Sequence, residues 1–138
     1  MKVELDKVIE AMVFCDYEFE YFYDCSKEET VLYADYMLTG VDNSELEEAL
    51  DNNPDNFIAL PTKFEIHEYK MMKDFVATLN SELSRVKLYH SLRGKGAFRR
   101  FKNTLYTLKL EQAWYSYKDN RYEQMAKEWC QENNITWY

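Results

Sequence analysis

The sequence predicts an α+β fold: a small antiparallel sheet, made of a hairpin and a third strand, packed against a mainly helical C-terminal half. Three observations carry that prediction. Apolar residues alternate with polar ones only in the first third of the chain, they recur at helical spacing through most of the second half, and with 3 Gly and 2 Pro in 138 residues the connections must be short. A chain of this length supports one core of ordinary size, so residues 1–138 read as a single domain. Its first part, 1–60, is acidic and strand-containing, and 61–138 is basic and helical.

Leu5, Val8, Ile9, Met12 and Val13 repeat at helical spacing, which predicts an opening helix from Val3 to Phe14. From Glu18 to Asp24 the period changes to two. Phe19, Tyr21 and Tyr23 then share one face of a strand, and Glu18, Glu20 and Asp24 share the opposite, solvated face. Thr30 to Asp35 is a second strand that completes an antiparallel hairpin, and Thr39-Gly40 marks a turn. Ser44-Glu45-Leu46-Glu47 has the form of a capping box for a helix that ends near Asn52, before Pro54. Phe57 to Leu60, short and apolar between Pro54 and Pro61, suits a third strand.

Thr62-Lys63-Phe64-Glu65 is a second capping box, and Ile66, Tyr69, Met72, Val76 and Leu79 recur along one following helix. Ser81 caps another helix that runs through Leu92. Gly94 suits the left-handed residue that closes it, and Gly96 opens the next, with Phe98, Phe101, Leu105 and Leu108 as its buried stripe. The last segment has two apolar sets, Leu110-Ala113-Trp114-Tyr117 and Tyr122-Met125-Ala126-Trp129, which are out of phase. A break near Asp119 is expected, with Asn120 and Glu123 capping a restart. Tyr115 and Tyr117, beside Trp114, read as packing residues.

No apolar run approaches the ~20 residues that span a bilayer, and Met1 to Glu10 lacks the apolar centre of a signal peptide. A cytoplasmic location and no membrane partner are expected. Cys15, Cys25 and Cys130 are odd in number, form no CxxC pair and lie far from the two histidines in sequence. They read as buried or half-buried free thiols, with no metal and no cofactor expected.

The net charge of −8 conceals an asymmetry. Residues 1–60 carry three Lys against sixteen Asp and Glu, a net of −13, while residues 61–138 carry fourteen Lys and Arg against nine acids, a net of +5. Between Leu83 and Leu110 there is no acid at all. The same stretch holds Arg85, Lys87, Arg93, Lys95, Arg99, Arg100, Lys102 and Lys109. A positive field confined to one stretch of an acidic chain points to an anionic partner.

The segment RGKGAFRRFK, Arg93 to Lys102, concentrates that signal. Its glycines permit a tight turn, and the helix that follows begins with free amides and partial positive charge, a favourable place for phosphate or carboxylate. Arg93, Lys95, Gly96, Arg99, Arg100 and Lys102 are the candidate ligand-binding residues, with His90 or Tyr106 placed to stack on a base. Lys95 and Arg99 would contact phosphate, and Lys102 lies on the flank of Arg99. Nucleotide-hydrolysing loops do not fit: no Ser or Thr follows the lysine, and GKGAFR lacks the third glycine of GxGxxG. The bland alternative is a helix connection whose cations neutralise Glu18, Glu20 or Asp24. A helix-turn-helix reader, with Arg99, Arg100 and Asn103 at DNA, has the right lengths but must contend with the acidic first half.

The segments Leu60 to Leu79 (LPTKFEIHEYKMMKDFVATL) and Arg93 to Leu105 (RGKGAFRRFKNTL), then Trp114-Tyr115 and Glu128 to Cys130 (EWC), resemble a bacterial family catalogued as uncharacterised protein family 158. The likeness is closest in the second half. It implies no activity, cofactor or catalytic residue, and directs attention to Gly94, Lys95, Gly96, Ala97, Phe98, Arg99, Arg100 and Phe101.

The residues thus point to a binding module rather than an enzyme, one that holds a nucleotide or nucleic acid through the RGKGAFRRFK turn and helix. Two alternatives stand beside it. One is an interaction or inhibitor protein that meets a basic protein partner through Glu18, Glu20 and Asp24. The other is a metal-independent phosphodiesterase using His67 or His90 with Arg99 and Lys95. Opposite charges in the two halves also make a homo-oligomer a candidate assembly.

Overall fold

The computed structural model describes residues 1–16, 19–34, 40 and 42–138, and its architecture is α+β. The chain forms two compact units, Met1–Ile66 with Tyr122–Tyr138, and His67–Arg121. Charge separates by unit more sharply than by sequence half. The first unit holds five Lys and Arg against twenty acids, a net of −15, and the second holds twelve against five, a net of +7.

The first unit is built on β2 (Phe19–Asp24), which pairs antiparallel with β3 (Glu29–Ala34) on one edge and β4 (Phe57–Ala59) on the other. The hairpin and third strand are therefore present. α1 (Leu5–Phe14) packs on β2 and β3 through Val8, Ala11 and Met12. β1 (Lys2–Val3) pairs in parallel with β5 (Thr136–Trp137), which the sequence did not reveal because two-residue strands show no alternation. Tyr23 is fully buried, donates its hydroxyl to the Lys2 carbonyl at 2.8 Å, and meets Trp129 edge-on at 6.2 Å. The Trp129 indole N–H donates to the Ala59 carbonyl at 2.9 Å, so both large aromatics in this core have their polar atoms satisfied.

Several local expectations change. Asp24 does not sit on a solvated face: it is buried, and its Oδ1 accepts from Ser26 N and Oγ, Lys27 N and Asn56 Nδ2 at 2.7–3.2 Å. Burial alone raises its pKa, but the bonds from Ser26, Asn56 and Lys27 outweigh it and hold the carboxyl below its ordinary value. Glu18, Asp35 and Thr39 lie outside the described residues. In α2 (Ser44–Asn52) the capping box does not form, because Ser44 is already helical and its Oγ donates to Asp42 at 2.7 Å, while Glu47 accepts from Tyr33.

The Thr62–Glu65 box does form, around α3 (Lys63–Ile66). The single helix expected to follow is interrupted at His67, whose backbone is left-handed at φ 52°. Its Nδ1 accepts from the Lys70 amide at 3.1 Å and caps α4 (Glu68–Ala77). α5 (Glu82–Ser91) begins at the expected Ser81 cap, and α6 (Ala97–Thr107) follows the glycine turn. The buried stripe of α6 is Ala97, Phe101 and Leu105; Phe98 is 49% exposed, because the i, i+4, i+8 row starts one residue earlier than expected. Trp114 lies 5.4 Å from both Phe75 and Phe101, edge to face, while Tyr115, 48% exposed, is not a packing residue.

α7 (Glu111–Glu132) is continuous through Asp119, so the expected break is absent. The change of phase has another cause: Leu110, Ala113, Trp114 and Tyr117 belong to one unit and Tyr122 to Trp129 to the other, and the boundary falls at Arg121/Tyr122. Neither glycine nor proline occurs in the helix to interrupt it. Among the described residues no helix is long and apolar enough to cross a membrane.

Candidate functional site

The basic stretch folds as α5, a turn and α6, all within the second unit. Gly94 and Gly96 both take left-handed backbone, φ 71° and 77°, so the turn needs residues without a Cβ. At Gly96 an added Cβ would also meet Arg100 Nη1 at 3.2 Å. Side chains then satisfy the turn's carbonyls one after another. Arg100 donates to Ser91 O at 3.1 Å and Gly94 O at 3.5 Å, and also to the carbonyls of Arg93 and Lys95. Tyr69 donates to the remaining one, Leu92 O, at 2.8 Å. Five consecutive carbonyl oxygens are thereby engaged, and the guanidinium of Arg100 is held on the turn itself.

Arg99, the adjacent arginine, is placed quite differently. It is exposed, as are Arg93, Lys95 and Lys102, and no ion pair among the described residues includes any of these four or Lys87. Among the described residues these cations have no carboxylate partner. α6 begins at Gly96, whose carbonyl receives the first helical bond from Arg100 N at 3.0 Å. The amides of Ala97, Phe98 and Arg99 precede that bond, and the helix carries no acid in its first turn.

Between α5 and α6 lies a groove of about 480 Å³, lined by Val86, Lys87, His90, Asn103, Thr104, Thr107 and Leu108. His90 and Val86, four residues apart on α5, are both exposed. Leu88, Ser91 and Leu92 take the buried positions instead. Thr104 and Thr107 donate their hydroxyls to Arg100 O at 2.8 Å and Asn103 O at 3.0 Å, while the side chains of His90 and Asn103 have no hydrogen-bond partner among the described residues. Sequence reasoning missed this groove. Its signal was present in the i, i+4 pairs Val86/His90 and Asn103/Thr107, on two helices that a short glycine turn makes neighbours.

The other candidates are dispersed. His67 is occupied as the cap of α4, and Asp24 as the internal acceptor described above. Cys15 and Cys130 are buried and Cys25 half-buried, all three free thiols, each with its pKa raised chiefly by burial. Among the described residues no group of three or more His, Cys, Asp or Glu is arranged to hold a metal ion.

Fold and site together define an α+β protein in which an acidic, sheet-containing unit accompanies a helical unit bearing exposed cations beside a groove. The model of the family described as Uncharacterised protein family (UPF0158) matches residues 1–138, and the chain belongs to that family. A Pseudomonas aeruginosa protein carrying the same family name is 26% identical over 92 residues, which cover 66% of this chain and 60% of that relative. No solved structure gives a significant match.

Proposed function

We propose that this protein is a cytoplasmic, non-enzymatic binding module for a phosphate-bearing ligand, a nucleotide or nucleic acid, held at the turn and first residues of α6. One observation carries the reading: Lys87, Arg93, Lys95, Arg99 and Lys102 lie in a stretch without acids, and none is paired with a carboxylate among the described residues. Phosphate would be met by Lys95 and Arg99 and by the free amides at the start of α6, with Arg93 and Lys102 adding to the field. Arg100 acts indirectly, by holding the turn. His90 belongs to the groove side of the same site.

A native mass spectrum of the protein purified from cells, wild type beside Lys95→Ala/Arg99→Ala, tests the reading. Wild type should carry the extra mass of a nucleotide or oligonucleotide, and the variant should be bare. Identical spectra, with no response of wild type to added nucleotides or oligonucleotides, would contradict it.

The net of −15 on the first unit supports a second reading, an acidic surface for a basic protein or for the basic unit of another copy. Capture of such a partner that ignores Arg99 and depends on exposed acids such as Glu20 would favour it.

A further inference from the structure

The groove and the outer face of α6 have a chemistry that a plain phosphate site does not require. Val86 and Leu108 give the groove apolar walls, and Asn103 and His90 present polar edges with no partner among the described residues. Its volume falls within the roughly 300–1,000 Å³ of small-ligand clefts. Outside the groove, Tyr106 is 75% and Phe98 49% exposed. By the helix repeat, Arg99, Lys102, Asn103 and Tyr106 follow one another along one side of α6 over about 10 Å. Two open aromatic rings, interleaved with exposed cations and bordered by a cleft with hydrogen-bonding edges, match the requirements of unpaired nucleotides. Stacking needs an open base face, and reading a base edge needs one that is not already paired.

We infer that this surface binds single-stranded RNA, with one unpaired base in the groove between α5 and α6 and another stacked on Tyr106. The inference rests on the phosphate-binding reading and narrows it. A duplex keeps its base faces stacked, so Tyr106 and the groove would have nothing to grip. A free nucleotide has one base and cannot occupy both places. Charge complementarity favours a polyanion, because the cations run from Lys87 on α5 through the turn to Lys102 on α6. The sugar is assigned from the groove walls. Thr104 and Thr107 already donate their protons to backbone carbonyls, so their oxygens remain as acceptors, and Asn103 offers both a donor and an acceptor. Those groups suit a ribose 2′-hydroxyl, which both donates and accepts and which deoxyribose lacks.

Fluorescence anisotropy with the whole protein tests this, using a short labelled RNA of mixed sequence, the DNA of the same sequence, and the RNA annealed to its complement. The single-stranded RNA should bind at least about tenfold more tightly than the duplex, and Tyr106→Ala and Asn103→Ala should each weaken it about tenfold. Both side chains are exposed, so the variants should keep the wild-type unfolding midpoint. Equal binding of duplex and single strand, equal binding of the DNA, or unaltered affinity in both variants would overturn the inference while leaving phosphate binding intact. Binding of free nucleotides but of no oligonucleotide would do the same. Failure of every phosphate-bearing probe, nucleotides included, would overturn both readings.

Discussion

Arg100 donates from Nε to the carbonyl oxygen of Ser91, nine residues earlier and 3.1 Å away, across the turn that Gly94 and Gly96 make. This relationship divides the labour of the Arg99-Arg100 pair. The second arginine satisfies the end of α5 and the turn, and the first is left exposed. Helical spacing foretells the division, since adjacent residues project about 100° apart and only one of the two can turn toward α5.

Arg100→Ala should destabilise the protein by about 1–3 kcal/mol, because it leaves several carbonyls without their donor. Arg99→Ala should stay within about 0.5 kcal/mol of wild type, as surface substitutions do. Arg100→Lys should rescue little, since one ammonium cannot reproduce the guanidinium fork. Urea unfolding midpoints of the three variants check this.

At the glycines, Gly94→Ala should cost about 1 kcal/mol for its left-handed backbone, there being open space where its Cβ would lie. Gly96→Ala should cost more. It carries the same backbone penalty and also brings its Cβ to 3.2 Å from Arg100 Nη1, disturbing the guanidinium that closes the turn. Thermal midpoints of the two variants, measured side by side, should fall in that order.

Phe101→Ala should cost about 3–5 kcal/mol, because the ring is fully buried and packs edge-on against Trp114 at 5.4 Å. Phe98→Ala should change stability by less than about 1 kcal/mol, since that ring is half exposed. Comparable losses in the two would contradict the placement of the α6 stripe.

Asp24 should make stability depend on acid. Its folded pKa lies below the unfolded value of about 3.9, so its contribution is present above that value and is lost as pH falls through the lower, folded pKa. Asp24→Ala should destabilise at neutral pH by about 2–3 kcal/mol, leaving Lys27 N and Ser26 Oγ without their acceptor and Ser26 N and the Asn56 amide with one bond fewer. The difference from wild type should shrink under acid, as followed by urea unfolding across the acid range.

Much of the fold was legible because its elements obey a period: the β2–β3 hairpin by alternation, α5 by its Ser81 cap, and the turn by Gly94 and Gly96. The misses came where tertiary partners decide. Alternation cannot tell that Asp24 will turn onto Ser26 and Asn56, nor can a pattern of two residues announce the β1–β5 pairing. A shift of apolar phase looks the same whether a helix breaks or passes between two cores, and α7 does the second. The charge of the site was plain in the sequence, but the groove was not, since Lys87 and Asn103 become neighbours only when two helices pack.

The phosphate contacts themselves can be counted by salt. Affinity for a short single-stranded RNA, measured by anisotropy between about 50 and 200 mM salt, should fall log-linearly, each phosphate contact contributing about 0.7 to the slope. Lys95→Ala/Arg99→Ala should lower that slope by about 1.4 while preserving the unfolding midpoint. A slope identical to wild type, or no binding by wild type at the lowest salt, would contradict the assignment of α6 as the phosphate-binding element.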